Sequence, residues 1–366
     1  MGLMVRVVFH IDFDYFYAQC EEIRKPELKT KPVAVCIFSD RGGDSGAIAT
    51  ANYTARKFDV KSGIPIKLAK QRLQEKPDAV FLPADFEFYS EISSNAMEII
   101  KGFGDIFEYV GRDEAYLDVT NRSENNFDTA SHIAQQLKNQ IREKIKLSCS
   151  VGISPNKLVS KIASDFQKPD GLTVVKPEQV SEFLNPLKVR DIPGIGKKTE
   201  EIFLADGLET IEDLSKINIF ELNKKFGRKT AAWLFNASKG IDNEPVQERQ
   251  ETIQISKIST LKQDSKEYGF LLQSLNDLCK QVHIIVLEKN KLFRSVGIQF
   301  VQQDMTNKTR SRMLKNSTSS LEELEKISAE LLREALDDQE IPIRRLGVKV
   351  SEFSDLEGQS SITSYF

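Results

Sequence analysis

The chain has 366 residues, of which 40% are hydrophobic and 29% are charged, and this length and composition predict a globular protein of several domains. No apolar stretch is long enough to span a bilayer, the start lacks the layout of a signal peptide, and four cysteines without metal-ligand spacing predict buried, reduced thiols in an intracellular, cytoplasmic protein. The formal net charge of -3 argues only weakly against a nucleic-acid partner, because phosphate binding depends on local clusters of basic residues.

The first predicted element is a buried strand over residues 4–13, in which hydrophobic side chains occupy every second position. Asp12 lies near its end, where a carboxylate serves either as a cap for the next helix or as a metal ligand. Three aromatic residues, Tyr15, Phe16 and Tyr17, follow closely. They predict a buried aromatic cluster beside the acid.

The next informative segment, residues 45–66, begins with small residues that lead into a predicted helix. Tyr53 and Arg56 are three positions apart and therefore lie on one helical face, and Thr50 precedes Tyr53 by the same interval. Such side chains can bind phosphate oxygens through charge-assisted hydrogen bonds. On spacing alone a solvated helix face is the alternative, because exposed polar pairs are common on helices.

Residues 110–119 form a run rich in strand-forming residues that is interrupted by two adjacent acids, Asp113 and Glu114. Neighbouring side chains of a strand point to opposite faces, so the two carboxylates can converge only at a hairpin tip or a bulge. Gly111 allows such a tip, because glycine tolerates backbone angles that other residues avoid. Two convergent acids at a strand end predict a site for hard divalent cations, and a solvated turn is the alternative.

Strand and helix patterns alternate from residue 81 to residue 175, which indicates a sheet backed by helices in an α+β layout. A strand is predicted over residues 148–154, and a helix over residues 156–164 carries Lys157 and Lys161 four positions apart. The sequence Lys-Pro-Asp-Gly that follows predicts a turn.

A helix-hairpin-helix signature, Asp-Ile-Pro-Gly-Ile-Gly-Lys-Lys-Thr, occupies residues 191–199, and a poorer copy lies at residues 225–229. The glycines of this motif let backbone N–H groups approach a DNA phosphate at a helix N-terminus, and the lysines add positive charge. Binding of this kind is independent of base sequence and sensitive to salt. A tight turn between two helices is the alternative. The predicted DNA contacts are Gly194, Gly196, Lys197 and Lys198.

A polar linker over residues 243–250 precedes a further domain, whose predicted order is strand, helix, strand, strand, helix, strand. Basic residues recur at every second position from Lys308 to Arg312, and over residues 343–350 Arg345 and Lys349 lie opposite the hydrophobic positions, which predicts basic strand faces that bind DNA phosphates. The helix predicted over residues 320–338 is rich in glutamate and is expected to face solvent, away from DNA. Edge strands that carry charge to prevent aggregation are the alternative. The predicted contacts are Lys308, Arg310, Arg312, Arg344 and Arg345.

The tail, residues 358–366, is polar, but its last five residues include an isoleucine and two adjacent aromatic residues. Exposed hydrophobic side chains of this kind lower solubility and are uncommon in disordered polar tails, so they indicate a binding role. Its pattern, Gln-x-x-Ile-x-x-Tyr-Phe, resembles the box with which archaeal and eukaryotic proteins bind the ring-shaped sliding clamp. One-turn spacing brings the hydrophobic residues together as anchors for an apolar pocket. The predicted clamp-binding residues are Gln359, Ile362, Tyr365 and Phe366.

Two of these segments resemble signature motifs of the Y-family, translesion DNA polymerases in their archaeal DinB or DNA polymerase IV-like branch. Residues 11–18 resemble the opening motif and residues 113–118 the second acidic motif, with collinear matches over nearly the whole chain. Gly111 and Arg112 depart from the family, which usually has a serine and a branched aliphatic residue there. The resemblance implies a multidomain α+β right-hand polymerase with a palm (1–15 and 80–176), fingers (16–79), a helix-hairpin-helix thumb (177–242), a linker (243–250), a little finger (251–357) and a clamp-binding tail (358–366).

The resemblance also implies a two-metal mechanism, with Mg²⁺ as the ion. Asp12, Asp113 and Glu114 are then the catalytic and metal-binding acids, and Phe13 lends a backbone carbonyl. Tyr17 resembles the steric gate, whose ring excludes a ribose 2′-hydroxyl by a clash. The neighbouring acids Asp14 and Asp118 match no metal ligand of the family. The nucleotide-binding residues implied are Phe16, Tyr17, Thr50, Tyr53, Arg56 and Lys168.

The sequence therefore predicts a monomeric, template-directed DNA polymerase that uses deoxynucleoside triphosphates and primer-template DNA, bypasses lesions with low fidelity and lacks a proofreading segment. The alternative is a non-catalytic DNA-binding scaffold that recruits a clamp, which is disfavoured because all three matched acids are present. A template-restricted deoxycytidyl transferase would share the acids but would need nucleotide-selecting insertions that are not evident in the sequence.

Overall fold

The computed structural model divides into two compact units. The first contains residues 1–37 and 47–250, and the second contains residues 38–46 and 251–366. The predicted palm, fingers and thumb therefore fall in the first unit apart from one loop, and the finer boundaries between those three domains remain predictions. The residues that the structure describes are 5–248, 252–337 and 341–355.

Strands and helices are mixed along the chain up to Val174, and helices follow from Val180 to Ala237. In chain order they are β1 (Val8–Phe13), α1 (Phe16–Arg24), β2 (Val33–Phe38), β3 (Gly46–Ala51), α2 (Tyr53–Arg56), α3 (Ile66–Arg72), β4 (Val80–Pro83), α4 (Phe86–Lys101), β5 (Ile106–Tyr109), β6 (Glu114–Asp118), α5 (Phe127–Ile145), β7 (Cys149–Ser154), α6 (Lys157–Phe166), β8 (Leu172–Val174), α7 (Val180–Leu184), α8 (Lys197–Ala205), α9 (Ile211–Ser215) and α10 (Ile219–Ala237). Short 3₁₀ turns lie at Pro26–Thr30, Pro177–Gln179 and Val189–Asp191.

A five-stranded sheet of order β5-β6-β1-β7-β8 places the predicted acids next to one another. Its central strand β1 is antiparallel to both neighbours, and the register opposes Asp12 to Glu114 on β6 and to Ser150 on β7. The strand begins at Val8, later than predicted, because the Val7 N–H is bound by the Thr120 hydroxyl instead of a partner strand. The sheet therefore fixes two acids, far apart in sequence, at the same end of adjacent strands.

The two faces of this sheet are covered by different helices. On one face, Phe9, Ile11 and Phe13 pack into the main hydrophobic core with residues of α4 and α5. On the other face, α6 crosses β7 at Gly152, where a Cβ atom would overlap with the backbone of Ser160 in that helix. This close approach brings the polar side chains of α6 to the acids on β1 and β6.

The predicted fingers region contains a three-stranded sheet of order β3-β2-β4 with its own core, to which α2 and α3 contribute. Two predicted boundaries differ from this packing. Strand β4, assigned to the palm, pairs in parallel with β2, and α1, assigned to the fingers, buries Phe16, Ala18 and Cys20 in the core of the large sheet. The chain crosses between the two cores at these points, which the sequence pattern does not mark.

The second unit has the predicted order of elements, with β9 (Gln254–Ser265), α11 (Tyr268–Glu288), β10 (Lys291–Gln302), β11 (Asn307–Thr318), α12 (Leu321–Asp337) and β12 (Ile343–Asp355). Its sheet has the order β11-β10-β12-β9, and α11 and α12 pack on one face of it. The loop 38–46 belongs to this unit because Arg41 donates from Nε to the Leu261 carbonyl at 2.8 Å and pairs with Asp264.

The cysteines are buried, as predicted. Cys20, Cys149 and Cys279 are free thiols, and burial raises the pKa of Cys149 to about 12. The Cys36 thiol donates to the Ala34 carbonyl. Within the described residues, no helix combines the length and the apolar character that crossing a membrane requires.

Candidate active site

The predicted hairpin tip before the acids is present, because β5 and β6 form an antiparallel hairpin. The N–H groups of Val110 and Gly111 both donate to the Glu114 carbonyl, at 3.3 and 3.2 Å, and the Phe13 N–H donates to the Asp113 carbonyl at 2.8 Å. Gly111 does not adopt a left-handed backbone, so the glycine is not required for the reason we expected. The tip brings Asp113 beside the end of β1.

Asp12 and Asp113 are carboxylates whose ionised forms are disfavoured. Burial raises the pKa of Asp12 to about 6, against the lowering effect of Lys168, whose Nζ lies 2.6 Å from its Oδ1. Partial burial and the charge of Glu114 raise the pKa of Asp113. Acids with raised pKa values and an incomplete set of basic partners favour the arrival of a cation.

Glu114 has the opposite environment. Its carboxylate is bound by His10 at 3.2 Å and by the ammonium of Lys161, and these contacts, with that of His10 the largest, lower the pKa of Glu114 to about 2 despite partial burial. Burial lowers the pKa of His10 to about 4, so the imidazole is neutral at pH 7. The other ring nitrogen of His10 lies 2.7 Å from the Ser164 hydroxyl of α6.

Sequence reasoning missed His10 and gave no role to Lys161. The signal for His10 was its position two residues before Asp12, which places both side chains on the same face of β1. Ligand atoms of His10, Asp12 and Glu114 all lie within 4.8 Å of one another, a separation that one metal ion can bridge. The oxygen donors of Asp12, Asp113 and Glu114 fit a hard divalent cation.

The two acids expected to lie outside the metal set have structural partners. Asp14 is buried and accepts hydrogen bonds from the hydroxyls of Ser148 and Ser150, at 2.7 and 2.8 Å. Asp118 accepts the Thr120 N–H at 2.9 Å. Both carboxylates therefore stabilise local backbone and loop structure.

A cleft of about 230 Å³ adjoins the acids and contains every predicted nucleotide-binding residue. The Tyr53 hydroxyl is buried in this region and has no hydrogen-bond partner among the described residues, which indicates a place for a ligand. The guanidinium of Arg56 lies 4.9 Å from the centre of the Tyr53 ring. The cleft is lined by Asp12, Phe13, Tyr15, Phe16, Tyr17, Ala49, Thr50, Tyr53, Arg56, Ser62, Asp113 and Lys168.

One detail of the nucleotide prediction was wrong. Thr50 does not lie on the helix of Tyr53 and Arg56, because it belongs to strand β3 and Asn52 caps the single turn of α2 that follows. The three side chains still line one cleft, since the chain turns sharply after β3. The side chains therefore converge across a strand–helix junction and not along one helical face.

Tyr17 lies between the cleft and a group of aromatic rings on α4. Its ring stacks on Tyr89 with the centroids 4.9 Å apart and packs nearly perpendicular to the Phe86 ring, with the centroids 5.7 Å apart. Phe16 packs against Phe13 at 5.4 Å. The predicted aromatic cluster therefore exists, and Tyr17 presents its ring to the cleft from that cluster.

The predicted helix-hairpin-helix turn precedes α8, which begins at Lys197 with Gly196 as its N-cap. Gly194 has a φ of +101°, and a Cβ atom there would approach Trp233 at 3.1 Å, so this position requires glycine. Lys197 and Lys198 are exposed. Gly227, in the poorer second copy, has a φ of 74° and interrupts α10.

The predicted basic face of β11 was placed wrongly. Lys308, Arg310 and Arg312 pair in register with Phe300, Ile298 and Val296, which are core residues, so the basic residues share the helix-covered face of the sheet. Arg312 forms ion pairs with Glu330 and Glu334 of α12. The helix predicted to face away from the basic strand is therefore its partner. Period-two spacing shows that residues share a face but not which face it is.

The opposite face of this sheet carries the basic residues of β12. Arg345 pairs in register with Val301 and Lys349 with Gly297, away from the core positions of β12. The Nε atom of Arg345 is buried without a hydrogen-bond partner among the described residues. Arg344 lies 3.7 Å from Asp264.

The predicted clamp-binding residues Gln359, Ile362, Tyr365 and Phe366 lie outside the described residues. In the predicted linker, Val246 packs with Val8 and Tyr116, and the Gln247 N–H donates to Glu108 at 3.1 Å. The start of the linker is thus fixed to the large sheet.

Comparison with known families gives matches along most of the chain. Residues 11–165 match the impB/mucB/samB family and residues 253–363 match the C-terminal domain of the same family. Residues 190–242 match the thumb domain of DNA polymerase iota. The matched segments contain the carboxylate site, the helix-hairpin-helix turn and the sheet of the second unit.

Among curated relatives, DNA polymerase IV of Nitrosopumilus maritimus is 67% identical over 99% of both chains. DNA polymerase IV of Saccharolobus solfataricus is 37% identical over 96% of this chain and 98% of the relative. Among solved structures, a Y-family DNA polymerase chimera of Dbh and Dpo4 matches with a TM-score of 0.88, at 34% identity and covering 95% of this chain and 99% of the chimera. An insertion ternary complex of Dbh DNA polymerase matches with a TM-score of 0.69 at 34% identity over 95% of this chain and 99% of that chain.

Proposed function

Because the chain belongs to the Y family of DNA polymerases, in its DinB or DNA polymerase IV branch, we propose a role in DNA synthesis for each group of residues around the carboxylate site. The chain is a DNA-directed DNA polymerase of the translesion type, and the non-catalytic scaffold has no support. The observation that carries the assignment of roles is the cleft in which Asp12 and Asp113 adjoin the Tyr53 hydroxyl.

The metal site is assigned to Asp12, Asp113, Glu114 and the backbone carbonyl of Phe13, with two Mg²⁺ ions per site. Oxygen donors of this kind are those that Mg²⁺ prefers. When bound, the ions would lower the pKa of the primer 3′-hydroxyl and neutralise charge on the triphosphate. Lys161 and His10 keep Glu114 ionised before any ion arrives.

Primer extension with Mg²⁺ and the Asp113→Asn variant tests the metal assignment. We expect a loss of activity on the order of 10³-fold, because the variant lacks one anionic ligand of the ions. Mn²⁺ binding, measured by electron paramagnetic resonance without nucleotide, should weaken in the same variant. The Asp118→Asn variant is the matched control, because Asp118 lies outside the metal set. Equal metal binding by wild type and Asp113→Asn would overturn the assignment.

The substrates are assigned as primer-template DNA and deoxynucleoside triphosphates. One similar structure is described as an insertion ternary complex, which supports this choice. Thr50, Tyr53, Arg56 and Lys168 are proposed to bind the triphosphate, because they line the cleft beside Asp12 and present hydroxyl, guanidinium and ammonium donors. Lys168 must leave Asp12 when it binds a phosphate.

Tyr17 is proposed as the steric gate, with its ring against the sugar and Phe16 beneath the same part of the cleft. The Tyr17→Ala variant should incorporate ribonucleotides, because the ring that clashes with a 2′-hydroxyl is gone. Single-nucleotide insertion with matched deoxy- and ribonucleotides measures this. Unchanged sugar discrimination would remove the gate role.

The DNA contacts of the first unit are assigned to Gly194, Gly196, Lys197 and Lys198. Exposed N–H groups and lysines at the start of α8 suit a DNA phosphate. In the second unit we assign the contacts to the sheet face of Arg345 and Lys349, on which neither helix packs. Arg344 remains a candidate at its margin, whereas Lys308, Arg310 and Arg312 lie on the helix-covered face.

Charge reversal distinguishes the two faces of the second unit. The double variant Arg345→Glu, Lys349→Glu should weaken primer-template binding about tenfold at moderate salt, because phosphate contacts dominate such binding. The Arg312→Glu variant is the control, because its guanidinium is already paired with α12. Fluorescence anisotropy with a labelled primer-template measures the affinity. A larger loss from the Arg312 change would reassign the interface.

A sliding clamp is the proposed partner of the C-terminal residues Gln359, Ile362, Tyr365 and Phe366, and the polymerase itself is proposed to be a monomer. Deletion of the last eight residues should abolish stimulation by the clamp and spare synthesis without it. Extension of a primed circular template with and without clamp measures both. Equal loss of basal and stimulated synthesis would contradict the assignment.

A further inference from the structure

Arg112 lies at the tip of the β5–β6 hairpin, directly before the catalytic acids, and the roles assigned above do not use it. Its Nε donates to the Ser90 hydroxyl at 2.8 Å, and its backbone carbonyl accepts the Ser93 hydroxyl at 2.6 Å. The guanidinium carbon lies 5.4 Å from the centre of the Phe86 ring. The exposed side chain of Arg112 is thus held against the first turns of α4 by two contacts, and its backbone is held there by a third.

The same part of α4 supports Tyr17. Tyr89 stacks on the Tyr17 ring and Phe86 packs nearly perpendicular to it, so Phe86 contacts both Tyr17 and Arg112. The Arg112 guanidinium also donates a hydrogen bond to the Tyr17 hydroxyl. Burial raises the pKa of Tyr17, while the charge of Arg112 and its hydrogen bond to the phenol oppose that rise.

From these contacts we propose that Arg112 is a specificity-determining residue that holds the Tyr17 ring in place and thereby sets the discrimination between deoxy- and ribonucleotides. This inference rests on the gate role of Tyr17. A ring that excludes a 2′-hydroxyl must not rotate away when the hydroxyl presses on it. Stacking restrains the plane of the ring, whereas the far end of the phenol is restrained by the guanidinium.

The contacts favour this role over a general attraction for DNA phosphates. Arginine has five N–H donors in a rigid plane, and here the guanidinium lies over the Phe86 ring while Nε is bound to Ser90. A lysine at position 112 would keep the positive charge but could not make these contacts together. The two roles therefore predict different behaviour for the Arg112→Lys variant.

The test compares insertion of a matched deoxy- and ribonucleotide by wild type, Arg112→Ile, Arg112→Lys and Ser90→Ala, with kcat and KM measured separately for each nucleotide. We expect Arg112→Ile to lower the ratio of deoxy to ribo kcat/KM about tenfold, as lost charge-assisted hydrogen bonds would. The change should come mainly from faster ribonucleotide insertion. Arg112→Lys should resemble Arg112→Ile, and Ser90→Ala should change the ratio less but in the same direction.

A double-mutant cycle with Tyr17→Phe tests whether the effect passes through the phenol hydroxyl. Tyr17→Phe keeps the ring and removes the group that Arg112 binds, so it should relax discrimination to a similar extent, and adding Arg112→Ile should change the ratio no further. Additive effects of the two changes would overturn the inference. The inference would also be overturned if Arg112→Lys kept wild-type sugar discrimination, or if Arg112→Ile lowered kcat/KM equally for the deoxy- and the ribonucleotide. Either result would indicate that Arg112 contacts DNA instead.

Tyr17→Ala, run in parallel, separates this inference from the gate assignment. If Tyr17→Ala admits ribonucleotides and Arg112→Ile does not, the gate stands and the role of Arg112 fails. If Tyr17→Ala leaves sugar discrimination unchanged, the gate assignment itself fails. Because Arg112 is exposed, its variants should unfold at the wild-type temperature, which thermal denaturation checks.

Discussion

Two clusters at the carboxylate site each join an acid to a lysine, yet the pKa of the acid is raised in one and lowered in the other. The Lys168 cluster consists of Asp12, Lys168 and Asp165, and the pKa of Asp12 is raised by burial to about 6. The Lys161 cluster consists of Glu114, Lys161 and His10, with Ser164 behind the imidazole, and the pKa of Glu114 is lowered to about 2.

Burial and the number of partners together account for the difference, because burial raises the pKa of Asp12 more than its single basic partner lowers it, whereas the two basic partners of Glu114 outweigh its burial. Lys168 lies 2.6 Å from Asp12 and 2.7 Å from Asp165, so one ammonium is divided between two acids. Glu114 has the reverse arrangement, because one carboxylate receives both an ammonium and an imidazole. The Lys161 cluster is therefore complete without substrate, whereas the Lys168 cluster lacks positive charge until metal ions and a nucleotide arrive.

Within this comparison of the two clusters, the largest expected effect comes from removing the Lys168 ammonium. The Lys168→Met variant should reduce kcat/KM for deoxynucleotides about 100-fold, mainly through a higher KM, because one charged donor to the triphosphate is lost. Steady-state insertion kinetics measure this. Lys176→Met is the matched control, since Lys176 pairs with Asp128 outside the cleft. A change in kcat alone would indicate that Lys168 does not bind the nucleotide.

An effect of intermediate size is expected on the stability of the metal-free protein. Asp12 binds its proton more readily in the folded state, so the stability that it contributes is present below its ordinary pKa of 3.8 and is lost as the pH rises through about 6. Glu114 binds its proton less readily in the folded state, so its contribution is present above its ordinary pKa of 4.5 and is lost as the pH falls toward about 2.

Neutral substitutions should therefore have opposite signs at pH 7.5. Asp12→Asn should raise the free energy of unfolding by about 1–2 kcal/mol, and Glu114→Gln should lower it by a similar amount. Urea unfolding in EDTA measures both, with a repeat at pH 4, where the gain from Asp12→Asn should largely disappear. Two losses of similar size at pH 7.5 would mean that the clusters do not differ as described.

The sequence predicted the members of the site better than their environments. Asp12, Asp113 and Glu114 were identified from motif and strand pattern, and the sheet register brings Asp12 opposite Glu114. His10 was missed because a histidine in a buried strand is chemically informative only when its neighbours across the sheet are known. Its partner Lys161 comes from a helix whose approach depends on Gly152, a packing relation that period and composition do not contain.

In the second unit the sequence predicted the order of the elements but not how they pack. The order of its strands and helices was predicted correctly, because hydrophobic periodicity is local information. The face on which β11 carries its basic residues was not predicted correctly. The period-two spacing that includes Arg312 is the same whether this face meets solvent or the glutamates of α12. Which side the helices cover is decided by the apolar residues of β10, across the ladder.

The smallest expected effect concerns Asp165, the acid that shares Lys168 with Asp12. Its carboxylate is 60% exposed, so its pairing with Lys168 is worth at most about 1 kcal/mol. In the Asp165→Asn variant the Lys168 ammonium pairs with Asp12 alone. The variant also lacks the negative charge of Asp165, which helps to raise the pKa of Asp12. The pKa of Asp12 should therefore fall, and the KM for deoxynucleotides should rise about twofold, because Lys168 leaves Asp12 less readily.

Carbon-13 NMR of labelled aspartate follows the titration of Asp12 directly in the metal-free protein, and the insertion assay gives the KM. The Asp170→Asn variant serves as the control, because Asp170 pairs with Lys138 and Arg142 and not with Lys168. An unchanged titration of Asp12 together with an unchanged KM would mean that Lys168 is not shared in solution. The contrast between the clusters would then rest on the burial of Asp12 alone, and Lys168 would already be committed to one partner before the nucleotide arrives.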